Sequence, residues 1–118
     1  MTRGNHEAKQ VNQIYGFKGE VEEKYKDIGV YEAFSELFCG IPLVYVFNHK
    51  VMVCHGGLPS TDGVKLSDIK KINRFVEPPE RGVMCDLLWA DPTANSGRTP
   101  SKRGASMGFG PDITYKFL

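Results

Sequence analysis

Two short segments bring together residue types that can hold a metal ion and move a proton. Gly4-Asn5-His6-Glu7 sets a carboxamide oxygen, an imidazole and a carboxylate on consecutive residues behind a glycine. His55-Gly56-Gly57-Leu58 sets a second imidazole ahead of two residues without side chains. An oxygen from Asn5 and a ring nitrogen from His55 make a mixed donor set. Such a set suits manganese, iron or zinc rather than calcium, which takes oxygen alone. His6, next to Asn5, is then available for proton transfer. Glu7 could cap the following helix or orient a ligand. Arg103, next to Gly104, carries a planar fork of donors that matches a phosphate.

Each of these residues also has a purely structural reading. Asn5 could be an N-cap and His6 an exposed neighbour of it. His55 could be a satisfied core histidine, and Arg103 a surface residue. Asp91, ahead of Pro92, could form a turn or orient a ligand. His49 is read as an exposed hairpin-turn residue. The three cysteines, Cys39, Cys54 and Cys85, are odd in number and contain no CxxC pair. They are expected to be reduced core thiols of a cytosolic or nuclear protein.

The elements that must position these groups follow from the apolar pattern. Residues 8–15 read as a helix, with Val11, Ile14 and Tyr15 on one side. Gly16 and Gly19 interrupt it, and residues 20–26 resume as a charged helix. Residues 30–38 form a third, with Tyr31, Phe34, Leu37 and Phe38 on one stripe and Gly40 and Pro42 as the stop. Residues 43–47 and 51–54 are β-rich runs, joined by Asn48-His49-Lys50 in a hairpin that lacks the usual Asn-Gly turn. Being apolar at nearly every position, both strands are expected to be covered on both faces. Residues 66–73 form a short helix capped by Ser67 or Asp62, and 84–89 one or two helical turns. Residues 90–110 read as loop, and Pro111 opens a last helix. A strand ending in His55, followed by two glycines, is the layout of a site loop on a rigid α/β scaffold.

Composition bounds the function class. The chain has 118 residues, enough for one domain at most. Its 15 basic and 14 acidic residues leave a net charge of +1, so there is no broad basic field for nucleic acid. Locally, Arg98, Lys102, Arg103 and Lys116 face only Asp112 between residues 98 and 116, a patch suited to a phosphate group. No run approaches the roughly 20 apolar residues of a membrane helix, and the first residues do not form a signal peptide.

Six motifs occur in order. They are Arg3-Gly4-Asn5-His6-Glu7, Tyr15-Gly16-Phe17, His55-Gly56-Gly57-Leu58, Cys85-Asp86-Leu87-Leu88-Trp89-Ala90-Asp91-Pro92, Lys102-Arg103-Gly104 and Phe109-Gly110. The series resembles the catalytic domain of the phosphoprotein phosphatase family of serine/threonine phosphatases, and within it the type-5 branch. The resemblance covers essentially the whole chain.

It implies a calcineurin-like metallophosphoesterase fold: α/β, a β-sandwich flanked by helices in four layers, present only in part. It also implies Asn5 and His55 as ligands of one of two divalent metal ions (manganese, or iron and zinc). His6 becomes the proton donor to the leaving serine or threonine oxygen, and Arg103 the phosphate-binding residue. The implied reaction is attack of a metal-activated hydroxide on phosphoserine or phosphothreonine in proteins. The family's Asp-x-His and Asp-Arg-Gly motifs and a further metal-ligating His have no counterpart among these 118 residues, nor do the type-5 branch's tetratricopeptide repeats. The chain is therefore expected to be the central part of one catalytic domain, holding ligands for one metal only and close to inactive alone. Two alternatives are a dinucleoside-polyphosphate hydrolase with similar Gly-Asn-His-Glu and His-Gly-Gly motifs, and a non-catalytic phosphatase product that only binds.

Overall fold

The computed structural model describes all residues, 1–118. Six helices and five strands follow in order: α1 (Lys9–Ile14), α2 (Phe17–Tyr25), α3 (Ile28–Gly40), β1 (Val44–Phe47), β2 (Val51–Cys54), α4 (Leu66–Lys70), α5 (Val83–Trp89), β3 (Asp91–Pro92), β4 (Arg98–Pro100), β5 (Met107–Phe109) and α6 (Pro111–Phe117). The mixed helix and strand content agrees with the α/β expectation. No helix is long and apolar enough to cross a membrane.

The helical half is built on aromatics. Gly16 takes a left-handed φ of 92° and ends α1. The expected break at Gly19 does not occur, because α2 runs through it. A mid-helix glycine costs about 1 kcal/mol. The offset comes from Phe17, whose ring packs at 5.4 Å from Phe34 and 5.5 Å from Phe38 of α3. Asp27 caps α3, accepting from the Gly29 N–H at 2.8 Å. The expected α3 stripe is corrected at one place: Leu37 is exposed, while Tyr31 and Ser35 are buried. The Tyr31 hydroxyl donates to Asn12 Oδ1 at 2.8 Å, tying α3 to α1.

β1 and β2 form a two-stranded antiparallel sheet, with Val44 opposite Cys54 and Phe47 opposite Val51. Asn48 and His49 both adopt positive φ (49° and 54°), and Lys50 N–H donates to Phe47 C=O at 3.0 Å. Two left-handed central residues mark the hairpin turn whose twist matches its strands. His49 is exposed there, as expected, in a place where glycine would be less strained. The expectation of strands covered on both faces is overturned. Tyr45, Val46, Phe47, Val51 and Val53 are all exposed, because no other element of the chain packs over them. Continuous apolar character marks a strand that can be covered on both faces; it does not supply the cover.

Residues 90–110 are not simply loop. β3, β5 and β4 make a small three-stranded sheet, β3–β5 parallel and β5–β4 antiparallel. Its centre is Gly108, where a Cβ would lie 2.7 Å from both Thr93 Cγ2 and Thr99 Oγ1. Strands of two or three residues lie below the length at which alternation can be read from sequence. The caps expected for α4 are also corrected. Lys65 precedes it, its N–H donating to Asp68 Oδ2 at 3.0 Å. Asp62 instead pairs with Arg98 of β4 at 2.6 Å and Lys116 of α6 at 2.5 Å.

The core sits under α5. Leu87 and Leu88 are 0% and 1% exposed and cluster with Leu43, Ile69 and Met84. Only 21 residues are buried. The radius of gyration is 15.6 Å, against about 13.5 Å for a compact domain of this length. The accessible area is 7814 Å², against roughly 6,400 Å² for a compact globule of this mass. The chain is a thin body around one small core.

Two measurements check this account. Leu87→Ala should cost about 2–5 kcal/mol in urea unfolding, whereas Leu37→Ala, on the exposed side of α3, should cost under about 0.5 kcal/mol. The hydrogen bonds of Lys116 and Arg98 hold the Asp62 carboxyl below the usual carboxylate range. A lowered folded-state pKa gives stability that is present above the unfolded value and lost as pH falls through the folded one. Amide protection of α6 should therefore hold at neutral pH and drop only on acidification below about pH 4.

Candidate metal and phosphate site

The Gly4–Glu7 turn is closed from both ends. Gly4 N–H donates to Glu7 Oε2 at 2.8 Å, and Glu7 N–H donates to Gly4 C=O at 3.2 Å. A Cβ on Gly4 would lie 2.6 Å from Glu7 Oε2 and 3.1 Å from His55 Nδ1, so a side chain there would displace the Glu7 carboxylate that closes the turn. Ala8, not Asn5 or Glu7, is the N-cap of α1. Both capping alternatives are thereby excluded. Asn5 is 4% exposed and free to turn its side chain toward His55.

The second arm docks on the end of α5. A helix leaves its last carbonyls without intrahelical partners. Here Leu87 C=O accepts from Gly56 N–H at 2.8 Å, and Asp86 C=O, which already takes Ala90 N–H at 2.9 Å, also accepts from Gly57 N–H at 3.3 Å. A Cβ on Gly56 would come within 2.6 Å of the backbone at Leu88 and Trp89, and one on Gly57 within 2.2 Å of the Phe109 ring. The two glycines let the loop lie flat on α5 and leave His55 at its rim. His55 is exposed, so its core-histidine reading is wrong.

The arms meet with His55 Nε2 3.1 Å from Asn5 Oδ1. Two ligand atoms on adjacent positions of a small divalent ion, each about 2.1 Å from it, lie about 3.0 Å apart. The pair therefore fits one ion as two of its ligands. No group of three or more His, Cys, Asp or Glu side chains stands ready to close a metal site from this chain alone.

The third arm carries Arg103. Its Nε and Nη2 each lie 2.9 Å from a carboxylate oxygen of Asp91, a side-on bidentate pair. Asp91 is thus the orienter of Arg103 rather than a turn former only. The remaining edge of the guanidinium, with Nη1, is left for another anion. Of the basic patch read in sequence, Arg98 and Lys116 are committed to Asp62. His6 is exposed, its ring 4.9 Å from that of Tyr15. One cleft of about 320 Å³ is lined by Asn5, His6, His55, Gly56, Leu88, Trp89, Asp91 and Arg103.

The cysteines stay outside this chemistry. All three are free; Cys85 alone is buried, and Cys39 and Cys54 are half-buried rather than core. Burial pushes the Cys54 thiol up, and burial with the adjacent Asp86 carboxylate does the same for Cys85, so neither is a ready thiolate.

Sequence reasoning gave little weight to two residues. Arg3 is 0% exposed, with its guanidinium donating to the carbonyls of Glu7, Arg74 and Val76. Asp86 is 2% exposed inside the most apolar helix of the chain. A charge in an otherwise apolar run was the available signal for Asp86. Arg3 gave none, since an arginine is normally solvated.

Comparison with known proteins identifies the family. The calcineurin-like phosphoesterase family profile matches residues 1–118. Over all 118 residues the chain is 59% identical to "Serine/threonine-protein phosphatase 5" of Solanum lycopersicum and 56% identical to that of Homo sapiens. It spans 21% and 23% of those two proteins. Among solved structures, a protein serine/threonine phosphatase from Saccharomyces cerevisiae, described as similar to human phosphatase PP5, superposes with a TM-score of 0.93 at 46% identity. That superposition covers 99% of this chain and 36% of the yeast chain. With its Gly-Asn-His-Glu, His-Gly-Gly and Lys-Arg-Gly segments and a family profile matched along its full length, the chain belongs to the calcineurin-like phosphoesterase family.

Proposed function

We propose that residues 1–118 are the central part of one serine/threonine protein phosphatase catalytic domain, hydrolysing phosphoserine and phosphothreonine in proteins. The observation that carries this reading is that Asn5, His6, His55 and Arg103, drawn from three distant segments, line one cleft. The relatives named above are protein phosphatases, which favours a phosphoprotein over a dinucleoside polyphosphate as substrate. Three free thiols support an intracellular setting, cytoplasmic with the nucleus as a second compartment.

Asn5 and His55 would hold one divalent ion of a pair, manganese or iron and zinc. When bound, such ions polarise the phosphoryl oxygens and lower the pKa of water. The rest falls to the chain's own side chains. Arg103, aimed by Asp91, receives phosphoryl oxygens on its outer edge, where charge-assisted hydrogen bonds are strongest. His6 donates a proton to the departing serine or threonine oxygen, which would otherwise leave as a strongly basic alkoxide. Neither step needs a covalent enzyme intermediate.

Two outcomes test the reading. Arg103→Ala should weaken binding of a phosphoserine peptide by roughly 10–100-fold, the loss of a charge-assisted pair worth about 1.5–3 kcal/mol. Arg103→Lys, which keeps the charge but not the fork, should recover only part of it. Calorimetry against the unphosphorylated peptide measures both, and equal affinity for the two peptides would rule the reading out. The 118-residue chain, with two metal ligands of its own, should turn over a phosphopeptide in manganese at under a tenth of the rate of a full-length relative. An equal rate would show that two ligands suffice. Diadenosine polyphosphate in the same assay should be the poorer substrate.

A further inference from the structure

We infer that Asp86 is a positioning residue that sets the His55 arm and the Arg103 arm of the cleft against each other; the phosphate part of this inference rests on the function proposed above. Asp86 does not line that cleft. It is 2% exposed on α5, the helix that carries the core. Its two carboxylate oxygens are divided between the arms. Oδ2 accepts from Ser60 N–H at 2.7 Å, five residues beyond His55 in the same loop. Oδ1 accepts from Ser106 Oγ at 2.6 Å, three residues beyond Arg103. A buried carboxylate that accepts from only two neutral donors is costly to keep. Its energy goes into two charge-assisted bonds that run to opposite walls of one site.

Ser106 supplies a second, independent sign. Its φ is +58°, the left-handed region that non-glycine residues rarely occupy. Such a conformation persists where the surroundings over-determine it. Here the over-determining contact is the Oγ bond to Asp86. The backbone between Arg103 and β5 is bent into an unfavourable shape and pinned there by the carboxylate that also pins the His55 loop. Gly56 and Gly57 already dock the His55 loop through the α5 carbonyls. Asp86 thus refers both walls to a single rigid helix.

The test separates position from stability. Ser106→Gly removes the bond to Asp86 but accepts φ +58° without strain, so the fold should be kept. It should shift the Arg103 Nε–H resonance, weaken phosphoserine-peptide binding by about 3–10-fold, as expected for one lost hydrogen bond, and leave the His55 ring resonances unmoved. Asp86→Ala should shift both sets. Asp86→Asn keeps an acceptor for Ser60 N–H and a donor for the Ser106 hydroxyl, and should restore most of what alanine loses. If Asp86→Ala fails to fold, Ser106→Gly decides. An unmoved Arg103 resonance and unchanged peptide affinity in Ser106→Gly would overturn the inference. Should the wild-type chain bind no phosphopeptide, the phosphatase reading fails, and the Arg103 and His55 resonances alone decide whether Asp86 positions the two arms.

Discussion

The site depends first on one buried cation. Arg3 is completely enclosed and spends its guanidinium on backbone: Nε to Glu7 C=O at 2.9 Å, Nη1 to Val76 C=O at 2.9 Å and to Arg74 C=O at 3.2 Å. Its own N–H reaches Pro42 C=O at 2.8 Å. Burying a charge costs several kcal/mol unless its donors are all met. Nη2 lies 3.6 Å from Cys39 Sγ at the end of α3, so the donors of this one residue bring three stretches, residues 3–7, 39–42 and 74–77, to one point. The nearest carboxylate, Glu77, is 4.0 Å away and partly solvated, so carbonyl dipoles rather than an ion pair carry most of the compensation. A fork-shaped cation suits this task, and a point charge on a flexible stem does not. Asn5 sits two residues along, inside the turn whose last residue, Glu7, Arg3 holds by its carbonyl.

The charges of the chain divide by burial into two kinds of work. Arg3 and Asp86, both inside, fix backbone. Arg103 and Asp91, at the rim, stay in contact with solvent, where an ion pair is worth little to stability. That weakness is useful at a binding surface. A guanidinium held by one exposed carboxylate is oriented without being consumed, and an incoming dianion can share it. The near-neutral total charge of +1 conceals this division.

What could be read from the sequence follows the range of each interaction. Helical periodicity placed α1 and α5 to within one residue at either end, because apolar residues three and four apart mark a helix face even over six or seven residues. The ends of α3 fell two residues outside the expected range, at the Asp27 cap and at Gly40. Asn5, His6, His55 and Arg103 were nameable because unusual residues sat beside glycines; at Gly4, Gly56 and Gly57 a Cβ would collide, while Gly104 is needed for its positive φ of 76°. The β3–β5–β4 sheet was not legible, since strands of two and three residues carry no period. Nor was the hidden role of Asp86, which exists only where two loops return to one helix. The covered-strand reading of β1 and β2 failed for a related reason: hydrophobicity says what a surface prefers, while cover depends on what else is at hand.

The bare hairpin has a consequence for how the chain behaves in a test tube. A two-stranded sheet has two unpaired edges, and each is a row of backbone donors and acceptors open to another chain. In β1 and β2 those edges lie beside Tyr45, Phe47, Val51 and Val53, with Lys50 as the one cation in the turn. An edge of this kind is open to pairing with a second copy. Concentration and precipitating salts such as sulfate, which strengthen burial of apolar surface, will therefore set the solubility limit of this chain before heat or urea unfolds its core.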